Sequence, residues 1–137
     1  MIQLIQGQIP SMVWQNHPFN AADYTADAGS WTVESGDLHI YRYAVSANTL
    51  FVRFALNDTV ITGSPSILTV KFPTGVAAPV QRQGPLLVTA FLNGGVHLAC
   101  YVESEISQTH FLIKRITDTA FTNAGFGGGF CAFVPLT

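Results

Sequence analysis

The chain has 137 residues, the length of one domain and enough to enclose a hydrophobic core. Only 10% of them are charged, six Lys or Arg against eight Asp or Glu, where soluble domains average about 25%. The net charge of −2 and the scattered cations exclude a basic nucleic-acid footprint, and no apolar run nears the ~18 residues of a membrane-spanning helix.

A small domain exposes much of its area, and charge is the usual means of keeping that area wet and unassociated. With so few charges and a mean hydropathy of +0.32, the chain is expected to bury part of its outer surface against copies of itself or a partner.

Residues 1–10 (MIQLIQGQIP) place Ile2, Leu4, Ile5 and Ile9 among Gln and Gly, with no cationic stretch ahead of an apolar one. They read as an extended arm rather than a secretory leader, so the chain is expected to be made in the cytoplasm and left unprocessed. The arm, residues 1–15, offers Ile2, Leu4, Ile5, Ile9 and Trp14 as candidate partner-interface residues, ahead of a single domain over 16–137. Residues 12–16 form a candidate short strand. Residues 17–30, rich in Ala, Asp, Asn and Gly, predict a loop with one helical turn near Ala21–Tyr24.

From Trp31 onward, strand signals follow at short intervals: WTVE, LHIYRYAVS, TLFVRFALNDTVI, ILTVKF, LLVTAFL, VHLACYVE, HFLIKRI and GFCAFV. Leu50, Val52, Phe54 and Leu56 share one face, as do Val96, Leu98, Cys100 and Val102. Period-two strands joined by short turns predict antiparallel pairing, with Asn93-Gly94-Gly95 the strongest hairpin signal. No stretch of helical length carries a 3.6-residue stripe. The expected fold is all-β: an antiparallel two-sheet β-sandwich, jelly-roll-like, with an extended N-terminal arm.

Chemical motifs are sparse. GFGGGF (125–130) lacks the third glycine and the following helix of a dinucleotide loop, and reads as a flexible turn entering the last strand. His17, His39, His97 and His110 have no ligand spacing, and Cys100 and Cys131 sit singly in strands as small hydrophobes, so no metal or cofactor is expected. A disulfide between them would need strand pairing that spacing does not supply. Glu34 with Asp37, and Glu103 with Glu105, are the carboxylate pairs a glycosidase would need. In a continuous strand the second pair would stand about 7 Å apart on one face. Their setting at a strand exit among serines reads as ordinary solvation, and no catalytic residue is assigned. Asn57-Asp58-Thr59 matches a glycosylation tripeptide without a leader to bring it to that machinery. Among the aromatic residues, Tyr24, Tyr41 and Tyr43 are candidate ligand or interface groups, with Tyr41 and Tyr43 on a common face expected to point outward.

Between Trp31 and Gly75 the chain reads W-T-V-E-S-G-D, Y-R-Y, L-F-V-R-F-A-L, T-V-I-T-G-S-P and L-T-V-K-F-P-T-G. This resembles a module that recurs in bacteriophage virion proteins, at tail-fibre ends and in small head or tail accessory proteins. The resemblance implies an antiparallel sandwich that assembles as a trimer, and it carries over no catalytic residue. The expected function is that of a non-enzymatic virion accessory protein, a capsid cement or decoration protein or a tail-surface protein. Its partners would be its own copies and a major capsid or tail protein. The alternative is a receptor- or carbohydrate-binding module of a tail fibre, with a glycan as ligand.

Overall fold

The computed structural model describes residues 12–80 and 83–136, and its regular elements are strands apart from one 3₁₀ turn. In chain order they are β1 (Gln15–Asn16), β2 (Tyr24–Ala26), β3 (Ser30–Thr32), β4 (Leu38–Ser46) and β5 (Thr49–Thr62). Then follow β6 (Leu68–Lys71), β7 (Gln83–Asn93), β8 (Val96–Ser104), β9 (His110–Arg115) and β10 (Gly125–Pro135). The 3₁₀ turn, Ala21–Asp23, is capped by the Asn20 side chain, which accepts from the Ala22 amide. The expected helical turn is therefore present, and β2, three residues long, was hidden within what reads as loop.

Every strand pairing is antiparallel. The strands form a single sheet in the order β1-β4-β5-β10-β7-β8-β9-β6-β2, with β3 also paired to β5. Two tight turns set the hairpin registers. Ala47 and Asn48 both have positive φ between Ser46 and its partner Thr49, and Gly94 and Gly95 do the same between Asn93 and Val96. Turns with two left-handed central residues match the twist of the strands they join.

The sheet curls into a half-barrel. Its curl brings the two ends of the path together: the Tyr41 hydroxyl on β4 donates to the Lys71 carbonyl at the end of β6, and Tyr24 on β2 stands edge-on to Trp31 on β3 at 5.4 Å. The hydrogen-bonded path is continuous, so the facing layers expected of a sandwich are the two halves of one sheet. Among the described residues, the ladder that joins them is the pairing of β10 with β7 at Phe126↔Asn93 and Gly127↔Leu92.

The alternation read from the sequence sets the inside. Leu50, Val52, Phe54 and Leu56 are buried, while Cys100 and Val102 do the same on β8. On β5 the parity then changes, because Asn57 and Asp58 together oppose Gly127 alone, with Asp58 at φ 60. This bulge lets Thr59 and Ile61 face inward after Leu56. The core is dominated by linked aromatic rings. Phe72 meets Phe111, Phe111 meets Phe130, Phe130 meets Phe54, and Phe54 meets both Tyr41 and Tyr24. Trp31 continues the series to Phe126, which stacks on Phe91 at 5.0 Å and meets Phe121 edge-on. Such pairs stabilise by roughly 0.5–1.5 kcal/mol each beyond the burial of their area. Polar ties stitch the core where strands change course. Trp31 Nε1 donates to Thr59 Oγ1, which donates to the Phe126 carbonyl, and Asn93 bonds the Thr122 amide and carbonyl.

Two buried tyrosines give the first prediction. The Tyr41 hydroxyl is bonded, whereas the buried Tyr24 hydroxyl has no hydrogen-bond partner among the described residues. Tyr41→Phe is expected to lower stability by about 1 kcal/mol, and Tyr24→Phe to leave it unchanged or raise it. Burial pushes both phenols above their ordinary pKa, so the folded state holds their protons at a pH where the unfolded chain releases them. Stability is then fully present below about pH 10 and falls as pH rises further. Denaturant titrations of both variants between pH 7 and 11 test this, and an equal loss in the two at pH 7 would refute the assignment.

Candidate interaction surface

The last strand carries a stretch of glycines that leaves the surface above it bare of side chains. GFGGGF is not a turn: it is the first half of β10, paired to β5 from Gly125↔Val60 through Gly129↔Ala55 to Phe130↔Phe54. Glycine is required here by proximity. A Cβ on Gly129 would lie 2.3 Å from the Phe54 carbonyl oxygen, one on Gly127 2.8 Å from Asn57 Oδ1, and one on Gly128 2.7 Å from the Phe91 ring. The phenylalanines of the same segment, Phe126 and Phe130, point into the core.

Outside, the bare backbone floors a cleft made of three adjoining hollows. The first, about 200 Å³, lies between the β5 bulge at Asn57 and Asp58 and the Gly94–Gly95 turn. The second, about 420 Å³, has His39 and His97 in its walls above Gly127–Gly129. The third, about 410 Å³, runs from Ile40 and Arg53 across Gly129 and Cys131 to Thr89 on β7. It lies where the ladder of β10 and β7 has ended at Gly127, with Thr89 still in its wall. Farther along the outer face of β10, Phe133 is 66% exposed and its ring lies 6.4 Å from that of half-buried Phe51. The lining is mostly small and apolar, with Arg53 and Asp58 at its margins and His39 and His97 in its walls.

The residues marked from sequence fall in different places. Ile2, Leu4, Ile5 and Ile9 lie outside the described residues. Trp14 is half-buried just ahead of β1. Tyr24 and Tyr41 are 3% exposed and belong to the core, which removes them from reach of a ligand. The face of β4 that carries Tyr41 and Tyr43 is therefore the inner one, not the outer. A register irregularity between Leu38 and Ile40 shifts the strand, so that Leu38 also packs on the core. Tyr43 is half-buried, with its hydroxyl donating to Gln15 Oε1 at 3.2 Å.

The polar candidates are held by structural partners. Glu103 is buried and paired with Lys114, Nζ to Oε1 at 2.5 Å, while Glu105 lies beyond the end of β8. Burial alone would lower the Lys114 pKa, but the Glu103 carboxylate bonded to it outweighs this and raises it. His17 is buried, with its Nε2 2.7 Å from Asp23 Oδ2 and its ring 4.7 Å from that of Tyr41. This pair pins the chain ahead of β2 to β4, beside a surface hollow of about 270 Å³ that includes Phe19, Lys71 and Thr74. Asp37 serves its own turn by accepting from the Glu34 amide. Among the described residues, no three His, Cys, Asp or Glu side chains gather as a metal site would require. The two cysteines are free and differ in kind. Cys100 is a buried hydrophobe with its thiol pushed up to about 11 by burial, whereas Cys131 is exposed in the cleft.

Comparison of the chain with protein-family models, with curated proteins and with solved structures finds no match.

Two measurements follow from this geometry. Gly129→Ala is expected to lower stability by about 1–3 kcal/mol, because β5 and β10 must move apart to admit the methyl group. An unchanged midpoint in urea would show that the approach is not obligatory. A thiol reagent at pH 8 is expected to label Cys131 promptly and Cys100 only on unfolding.

Proposed function

We propose that the protein is a non-enzymatic structural component that self-associates through its outer sheet surface, as a virion accessory protein of a bacteriophage. The observation that carries this reading is the exposed apolar surface of β10, with Arg53 and Asp58 of β5 at its margin. Phe133 is 66% exposed on a strand, 125–135, that holds no charged residue, in a chain with few charges anywhere. Isolated exposed apolar residues are ordinary, but Phe133, Phe51, Cys131 and the Gly-floored cleft adjoin one another on one face. Val45, also exposed, stands at the tip of the neighbouring β4–β5 hairpin.

In this reading the curled sheet, its halves opposed in the manner of a jelly-roll-like sandwich, is a rigid plate. It forms a homotrimer and docks on a major capsid or tail protein as a cement, decoration or tail-surface component of the virion. The resemblance of residues 31–75 to phage virion modules supports the setting, and the structural partners of Glu103, Asp37 and His17 support a role without catalysis. A glycan- or receptor-binding role draws on one observation of its own. The second hollow combines a flat glycine floor with His39, His97 and Asn57, groups able to bond sugar hydroxyls.

The test is the absolute mass in solution by light scattering after size exclusion. A mass near three times 14.8 kDa is expected. Phe133→Lys, on an exposed side chain, is expected to weaken association about 10- to 100-fold while leaving the circular dichroism unchanged. A monomer at high concentration that binds a glycan array, with binding lost in His97→Ala, would replace this reading with the second.

A further inference from the structure

The hollow beside His17 shares no residue with the glycine-floored cleft, and its two walls are held together by Tyr41. One wall is the segment from His17 to Asp23. It begins where the His17 amide donates to the Tyr41 carbonyl at 2.8 Å, and it ends in the 3₁₀ turn capped by the Asn20 side chain. The other wall is the end of β6 with the turn after it, in which the Val76 amide donates to the Pro73 carbonyl. The Tyr41 hydroxyl donates to the Lys71 carbonyl, and its ring lies 4.7 Å from that of His17. Both walls are thus fixed to one buried side chain, and the hollow of about 270 Å³ between them is preformed.

The lining combines an aromatic plate with hydrogen-bond donors. Phe19 is 37% exposed, and its ring stacks on buried Tyr24 at 6.3 Å, which fixes the plate. Lys71 and Thr74 are exposed, and the Lys71 ammonium has neither an ion-pair nor a hydrogen-bond partner among the described residues. Asn20 Oδ1 is taken by the Ala22 amide, which leaves its Nδ2 to donate. Asp23, the acidic residue of the lining, is 5% exposed and bonded to His17 at 2.7 Å, so it does not pair with Lys71. A cation and neutral donors around an apolar plate suit a ligand with one apolar face and an anionic, acceptor-rich edge. We propose that this hollow binds a hexuronic acid, with the C–H face of its ring on Phe19, its carboxylate on Lys71 and its hydroxyls on Asn20 and Thr74. A small inorganic anion would make no use of the plate, and the ammonium of an amino acid would need a free carboxylate that Asp23, held by His17, does not offer. Pockets for drug-sized molecules start at about 300 Å³, so a single sugar ring is the size that fits. The site goes beyond the self-associating reading above and does not depend on it.

The test is a titration of the full chain, followed by NMR of the protein, with methyl β-glucuronide and methyl α-galacturonide. Methyl β-glucoside, which carries a CH2OH group in place of the carboxylate, and acetate are run beside them. A uronide is expected to bind with a dissociation constant on the order of 1 mM, and the glucoside and acetate about 10-fold more weakly or not at all. Lys71→Met and Phe19→Ala, both at exposed side chains, are each expected to weaken uronide binding about 10-fold with circular dichroism unchanged. His97→Ala, in the separate cleft, is expected to leave it unchanged. No saturable shift with either uronide would overturn the proposal. Equal binding of the glucoside would overturn it by removing the part given to Lys71, and equal binding of acetate by removing that of the sugar ring. Uronide binding that survives both Lys71→Met and Phe19→Ala, or that is lost in His97→Ala, would place the ligand elsewhere and overturn it as well. Each result is read from the binding curve, so the mass of the protein in solution decides none of them.

Discussion

The rest of the structure depends on how closely β10 approaches β5 between residues 127 and 129. At Gly129 the two strands are near enough that a single methyl group would overlap the Phe54 carbonyl, and Gly127 is pressed against the bulge at Asn57 and Asp58. Because that approach is possible, β10 stays paired with β5 from Gly125 to Pro135 through the bulge at Asn57 and Asp58, and Phe126 and Phe130 enter the core from the same strand. Those two rings connect what would otherwise be separate clusters. Phe130 touches Phe54 and Phe111 from opposite halves of the sheet, while Phe126 joins Trp31, Phe91 and Phe121. The same glycines that allow the inner packing strip the outer surface of side chains. The cleft is thus the external consequence of a core requirement, before any ligand is considered.

The few ionisable groups that do go inside are placed where the curl needs fixing. Lys114–Glu103 ties β9 to β8, and His17–Asp23 ties the chain ahead of β1's successor strand to the region beneath Tyr41. A buried polar pair such as Lys114–Glu103 adds little net stability over a hydrophobic pair of the same volume, since desolvation offsets most of the attraction. Its directionality is the more useful property: it discriminates one strand placement from another in a core whose aromatic contacts are permissive. The unpartnered Tyr24 hydroxyl, Arg42 Nε and Ser104 Oγ mark where this polar fitting is incomplete.

Strand positions were legible because period two is a strong signal when one face is buried and the other wet. Eight segments from Trp31 to Val134 match β3 to β10, and the Asn93-Gly94-Gly95 turn sits where its sequence places it. The architecture beyond pairing was not legible. Whether strands divide into two sheets or follow one curled path depends on the β10–β7 junction, two residue pairs long, and no local pattern announces it. β4 shows why faces were misread: Tyr41 and Leu38 differ in parity, yet both reach the core because the strand slips between Leu38 and Ile40. The Gly-rich segment was misread for a related reason. Glycine disfavours strands in general, and only the nearness of Asn57, Phe54 and Phe91 makes it the residue that permits this one.

The outer face of β10 is bare because its inner face is crowded. Gly127, Gly128 and Gly129 admit no Cβ without meeting Asn57, the Phe91 ring or the Phe54 carbonyl, so backbone floors the surface above them. Beyond them the strand alternates in the ordinary way: Phe130, Ala132 and Val134 take core positions, which leaves Cys131 and Phe133 outside. Arg53 on β5, the register partner of Cys131, stands at the margin of the same hollow. The character of this surface, apolar at Phe133 and charged at Arg53, thus follows from which residues the aromatic core claims on the two strands.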